Sequence, residues 1–298
     1  MDKFMSGALI KTIPNLILWI NSYNLKGSSC RYAKYKKEAE NFFNEDINKT
    51  PHLYMWDLFR KQIYSFDQLM GLNYIYRYFK NEKSNGFVSR LEKMIKGPIF
   101  LSGNDNDHSR NIQFELIVSS YLSKLGYKFN FDSIVDVVAM RDGNEYFIEC
   151  KKINSANQFR KRLKEATNQI LKRREDKSNE SMIFIDISNL VNFSQVSEYE
   201  NEYQAKRDIK DNMGYLIKDN ASYINTSLTE NDKVILGICF FAQKPLYIGD
   251  TLTSVTEYDF RPSSNSPNNK TSVGNFFLDR KTYSDEYVAL SRALYRIN

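Results

Sequence analysis

Val135-Asp136-Val137-Val138-Ala139-Met140-Arg141-Asp142-Gly143-Asn144-Glu145-Tyr146-Phe147-Ile148-Glu149-Cys150-Lys151 is the stretch from which the fold is read. Two apolar runs flank Asp142-Gly143, a pair suited to the left-handed backbone of a two-residue hairpin turn. They predict antiparallel strands over 134–140 and 146–153. Side chains two apart on a strand share a face. Glu149 and Lys151 therefore point one way, Ile148 and Cys150 the other. A carboxylate beside an ammonium on a strand of Tyr, Phe and Ile has two readings. One is an exposed ion pair, worth about 0–1 kcal/mol. The other is part of a site whose chemistry needs both charges.

Around the hairpin, helix and strand patterns alternate. Upstream, 111–125 carries Ile112, Leu116, Val118, Tyr121, Leu122 and Leu125 at helical spacing and stops at Gly126. Residues 127–131 alternate aromatic and polar, as a strand does. Downstream, 157–174 predicts a helix with Phe159, Leu163, Ala166 and Ile170 as its buried stripe. A fourth apolar strand follows at 181–187. The order α-β-β-β-α-β predicts an α/β fold, an α+β mixed sheet flanked by helices.

Beyond it, 194–219 predicts a helix with Tyr199, Tyr203, Ile209, Met213 and Leu216 as its core side. Residues 234–242, apolar on both faces, predict a central strand. Residues 1–100 read as helical. The run 13–20 is a buried helix and 27–47 a second one. Thr50-Pro51 caps a helix over 53–66, and Asp67 caps another over 68–79. The expected domains are a helical N-terminal domain (1–105), a sheet domain (106–250) and a C-terminal extension (251–298). The extension holds a flexible loop at 261–272, an edge strand at 276–278 and a helix at 287–294.

The 298 residues are 42% hydrophobic and 26% charged, the balance of a folding chain and not of a disordered one. Cys30, Cys150 and Cys239 fit no zinc spacing and no disulfide framework, so a reducing cytoplasm is expected. The run 13–20 is shorter than the roughly 20 residues of a membrane span. It lacks a signal-peptide cleavage pattern, and no membrane is expected. Net charge is +6, which permits a polyanionic partner. Lys and Arg outnumber Asp and Glu by 16 to 9 over 1–100 and by 8 to 3 over 157–177, so the surplus sits in the N-terminal helices and one later helix. His52 and His108 stand apart from each other and from cysteine, which argues against zinc. Asp105-x-Asp107 lacks the glycine and glutamate of a calcium loop. No Gly-x-x-x-x-Gly-Lys-Ser/Thr loop is present, so any ATP-driven motor would be another protein.

The acids and their order resemble the PD-(D/E)xK nuclease superfamily, whose restriction-endonuclease-like core is αβββαβ. The resemblance covers about residues 110–190. It rests on Glu115 in the first helix, Asp136 on a strand and Glu149-x-Lys151 on the next. Val135 stands where a proline often precedes the first aspartate. The resemblance implies an Mg²⁺-dependent endonuclease or deoxyribonuclease, with Mn²⁺ as the alternative ion and DNA favoured over RNA as substrate. It implies Asp136, Glu149, Glu115 and the backbone carbonyl of Cys150 as metal ligands. Lys151 is the implied catalytic amine, and Gln169 borders the site from the following helix.

Hard carboxylate oxygens suit such an ion and leave positions for water and phosphate. Lys151 has three roles open to it: orienting the attacking water, helping to deprotonate it, or steadying the pentacovalent phosphate. Glu115 would act through water or at a second metal. Arg162 and Arg173, on an adjoining face of the 157–174 helix with Glu165 and Gln169, are expected to hold nucleic-acid phosphates.

Structural readings stand beside these. Asp136 would be a strand-end carboxylate bonded to a turn, and Glu115 a residue favoured by the helix dipole. Asp132, just before the strand, is the rival first acid. At the level of the whole chain the alternative is a catalytically inactive nuclease-fold module that binds nucleic acid or scaffolds a complex. Fold-level analogy suggests bacterial restriction or antiphage defence beside an ATPase or helicase partner, with a homo-oligomer left open.

Overall fold

The Asp142-Gly143 turn forms as its residues dictate. Backbone φ is +52° at Asp142 and +80° at Gly143, the paired left-handed positions of a type I′ hairpin turn. The ladder it sets runs from Arg141↔Asn144 to Val137↔Ile148.

The structure, a computed structural model, describes residues 4–5, 7–44, 52–100, 108–132, 137–173, 180–191, 198–231, 234–249 and 251–263. Its elements in chain order are β1 (Phe4–Met5), α1 (Gly7–Asn21), α2 (Arg31–Asn44), α3 (His52–Phe79), α4 (Asn85–Ile95), α5 (His108–Lys124), β2 (Lys128–Asn130), β3 (Val137–Arg141), β4 (Asn144–Lys152), α6 (Phe159–Arg173), β5 (Glu180–Asp186), β6 (Glu198–Tyr199), α7 (Glu202–Asp219), α8 (Ala221–Glu230), β7 (Ile235–Ile248) and β8 (Thr251–Pro262). The fold is α/β, a mixed sheet in the order β1-β8-β7-β5-β4-β3-β2 with β6 paired to β7. Strands β2, β3 and β4 form an antiparallel meander, and β4, β5 and β7 run parallel. The segment α5-β2-β3-β4-α6-β5 has the order read from the sequence. Among the described residues no helix is long and apolar enough to cross a membrane.

Two compact units result, neither contiguous in sequence. The first is Met1–Ile117, Phe193–Lys206 and Gln243–Val255; the second is Val118–Asn192, Arg207–Ala242 and Thr256–Asn298. In the first unit, Trp19 of α1 packs edge-on against Tyr23 and Tyr76, and Phe87 of α4 joins them. Gly71 lets α3 approach α5 closely: a Cβ there would lie 2.6 Å from Gln113 Nε2 and 3.1 Å from Ile117 Cδ1.

In the second unit, Ile235–Ala242 of β7 is buried without a break, as expected of a strand covered on both faces. Gly237 is required there by Phe260 of β8, whose ring would lie 2.4 Å from a Cβ.

Several expectations are corrected. α3 is one helix of 28 residues, not two. Asp67 caps nothing; its carboxylate sits mid-helix and accepts a bond from Gln243 Nε2 at 2.9 Å. No Gly or Pro separates Phe66 from Gln68, so the chain has no cause to stop. The helix expected over 194–219 is strand β6 followed by α7. Asn201 Oδ1 accepts the Gln204 N–H at 3.0 Å, an N-cap bond that starts the helix at Glu202. Its buried stripe is Ala205, Ile209, Met213 and Ile217, whereas Tyr203 is 74% exposed. Asn201→Ala is expected to destabilise by about 1 kcal/mol, checked by urea unfolding. Residues 251–262, placed in the C-terminal extension with 261–262 in its flexible loop, form β8, and the Ser263 N–H that follows bonds Leu236 O at 2.9 Å. The expected elements at 276–278 and 287–294, loop residues 264–272 and Thr50-Pro51 lie outside the described residues.

Candidate active site

Strand β4 carries Glu149 and Lys151 into a covered layer. Its register places Glu149 beside Ile183 and Lys151 beside Ile185. β7 continues both rows with Ile238 and Phe240. Neighbours in such a ladder point to the same side of the sheet. Phe240 stacks on Phe159 of α6 with centroids 5.9 Å apart and planes 16° apart. Glu149 and Lys151 therefore lie on the face that α6 covers. The opposite face holds Cys150, Phe184 and Cys239 in one row, and Lys152, Asp186 and Phe241 in the next. Tyr121, in the last turns of α5, meets Phe241 on that side.

Glu149 is 1% exposed, and its Oε1 accepts from Lys151 Nζ, whose side chain is 15% exposed. The exposed-pair reading is thereby set aside: the carboxylate is buried. Burying two charges costs several kcal/mol, and their attraction repays this only in good geometry. Apolar residues of the same size would serve packing at least as well. The pair is thus poorly explained by stability alone.

Gln169 lies on the flank of α6 between its buried and exposed faces, and its Oε1 is buried without a hydrogen-bond partner. Such an atom normally finds a partner. Arg162, on the same flank, is committed within the helix: its Nη1 lies 2.8 Å from Glu165 Oε2. Arg173 ends α6, and its side chain falls outside the described residues.

The remaining acids separate. Asp136 lies outside the described residues; Val137, which follows it, pairs with Ile148, which precedes Glu149. Asp132 is exposed in a turn, where its N–H donates to Asn130 Oδ1 at 3.0 Å. Glu115 is buried in the first unit, with Oε2 3.7 Å from Arg90 Nε. Cys150 is a buried thiol, not in a disulfide, on the face away from Glu149. Among the described residues no group of three or more His, Cys, Asp or Glu is placed to hold a metal ion.

Two contacts were not singled out in the sequence. Arg90 of α4 faces Glu115. Lys152 Nζ bonds Asp186 Oδ2, and Asp186 Oδ1 accepts the Ser188 N–H at 2.8 Å. An aspartate ending the apolar run Met182–Ile185 was the available signal for the second. The first depends on helix packing and had none. Comparison of the chain with known protein families, curated proteins and solved structures returns no match.

Proposed function

We propose that the chain is a metal-dependent nuclease with a restriction-endonuclease-like core formed by α5-β2-β3-β4-α6-β5, acting on phosphodiesters, DNA before RNA. The observation that carries the reading is the buried Glu149–Lys151 pair on the α6 side of β4. A buried carboxylate bonded to an ammonium is suited to a site where a divalent cation takes over part of the charge balance. Hard oxygen donors such as Asp136, Glu149 and the Cys150 carbonyl would suit Mg²⁺ or Mn²⁺ by their chemistry; Glu115, paired with Arg90 in the first unit, is not counted among them. A bound cation would neutralise charge on the scissile phosphate and supply an acidified water. Hydrolysis forms one P–O bond to water oxygen and breaks the bond to the leaving oxygen, which takes up a proton. Lys151 would orient the water, help to deprotonate it or hold charge on the phosphate oxygens, and Glu149, bonded to it, would position it. Gln169, with its unsatisfied Oε1, is an acceptor available to water or substrate from α6.

The second reading is a catalytically inactive module that binds nucleic acid. It is favoured by the closure of Lys151 onto Glu149 and of Arg90 onto Glu115. A defence setting with an ATPase or helicase partner, and a cytoplasmic location, are proposed on analogy only. One panel separates the readings: single-stranded DNA, duplex DNA and RNA with Mg²⁺ or Mn²⁺, with Lys151→Ala as control. The nuclease reading expects cleavage of at least one substrate and a loss on the order of 10²–10⁴ in the variant. Salt-dependent binding with no cleavage of any substrate would favour the module.

A further inference from the structure

Helix α6 has three faces. Phe159, Leu163, Ala166, Thr167 and Ile170 are buried, and Arg162, Glu165 and Gln169 are half-buried at one flank. At about 100° per residue, the exposed residues Arg160, Lys161, Lys164, Asn168, Leu171 and Lys172 fall in one solvent-facing arc. Four of these six are cations and none is acidic. Glu165, on the adjoining flank, is 2.8 Å from Arg162 and 4.0 Å from Lys161. Arg160, Lys164 and Lys172 have no ion-pair partner among the described residues. The outward face of α7 is mixed: Lys206 pairs with Glu202 at 2.7 Å and Arg207 approaches Asp208 at 3.8 Å.

We infer that this outer arc of α6 is a phosphate-backbone docking surface for nucleic acid, with Arg160, Lys164 and Lys172 making the contacts. These contacts would stand beside those expected of Arg162 and Arg173. Charge complementarity selects a polyanion. The choice of nucleic acid over an anionic lipid surface rests on the nuclease reading, because α6 covers the sheet face that holds Glu149 and Lys151. Lysine and arginine on a helix exterior contact phosphate without reading bases, so binding through this surface is independent of sequence.

The test is a salt titration of the full chain binding a short labelled duplex in EDTA, where metal-dependent cleavage cannot intervene. Each phosphate contact contributes about −0.9 to the slope of log K against log salt. Arg160→Gln/Lys164→Gln/Lys172→Gln is expected to flatten that slope by about 3 on duplexes of unrelated sequence. Lys164→Arg/Lys172→Arg is expected to keep it. The charge-matched control Arg207→Gln/Lys210→Gln/Lys218→Gln on α7 should leave it unchanged. An unchanged slope in the α6 variant, an equal loss in the α7 control, or no duplex binding by the parent overturns the proposal. So does binding of the parent to phosphatidylserine vesicles, lost in the α6 variant, with duplex binding unaffected. Cleavage by the parent with Mg²⁺ is scored separately. A flattened slope with no cleavage keeps the surface and removes the nuclease reading; cleavage with an unchanged slope does the reverse.

Discussion

Lys151→Ala is expected to lower stability by about 3 kcal/mol and to remove metal-dependent cleavage, while Glu149→Leu/Lys151→Met recovers the stability and not the cleavage. Removing the ammonium alone takes away the cation bonded to a carboxylate that is 1% exposed. Breaking a buried pair in this way costs about 3–5 kcal/mol, and the lower end applies because Lys151 keeps some contact with water. Replacing both charges removes the desolvation penalty, and the neighbours Ile183, Ile185, Ile238 and Phe240 are apolar already. Urea unfolding should therefore place the double variant at or above the parent. If the double variant were as unstable as Lys151→Ala, the pair would be holding the fold, and its burial would say nothing of catalysis.

Arg31→Leu is expected to destabilise the chain by about 4 kcal/mol, a large share of the roughly 5–15 kcal/mol that holds a domain together. Arg31 is 2% exposed, and its guanidinium donates to Ser109 Oγ at 2.7 Å, Tyr32 OH at 2.9 Å and Gln113 Oε1 at 2.8 Å. Arg110 extends the cluster, donating to Tyr64 OH and to Ile99 O at 2.9 Å. Burial pushes the Tyr32 phenol up to about 12 against the opposing pull of Arg31, and raises Tyr35 and Tyr64 as well. The phenols thus stay neutral at ordinary pH. Packing around the guanidinium is tight: a Cβ on Gly97 would lie 1.8 Å from Ser109 Oγ and 3.0 Å from Arg31 Nη1. Leucine would leave three buried oxygens short of a donor. Ser109→Ala, which removes one acceptor, should cost about 1–3 kcal/mol. An Arg31→Leu midpoint equal to that of the parent would refute the structural role.

These residues also mark what the sequence made legible. The hairpin was readable because Asp142-Gly143 allows few other backbones, and strand alternation then assigned Glu149 and Lys151 to one face. Lys151 and Lys152 are chemically alike, yet that parity sends them to opposite faces, where each meets its own carboxylate. The side covered by α6 was not readable, because it follows from the register of β5 and β7, which the sequence does not encode locally. β8 was hidden by its composition: Glu257, Asp259 and several Thr and Ser residues obscure the few buried positions, Leu252, Val255 and Phe260. Burial raises the Asp259 carboxyl despite Arg261 beside it, which illustrates how a charged residue can occupy a sheet. Arg31 was hidden for the converse reason. An arginine among lysines on a helix reads as solvated, and only packing against α5 turns it inward.

The account stands on the Glu149–Lys151 pair, and one comparison bears on it most directly: Mg²⁺-dependent hydrolysis of DNA by the parent and by Glu149→Leu/Lys151→Met at equal folded concentration. The account predicts that the parent cuts and that the folded double variant does not. Equal cutting by both, or no cutting of any nucleic acid by the parent with Mg²⁺ or Mn²⁺, would contradict it.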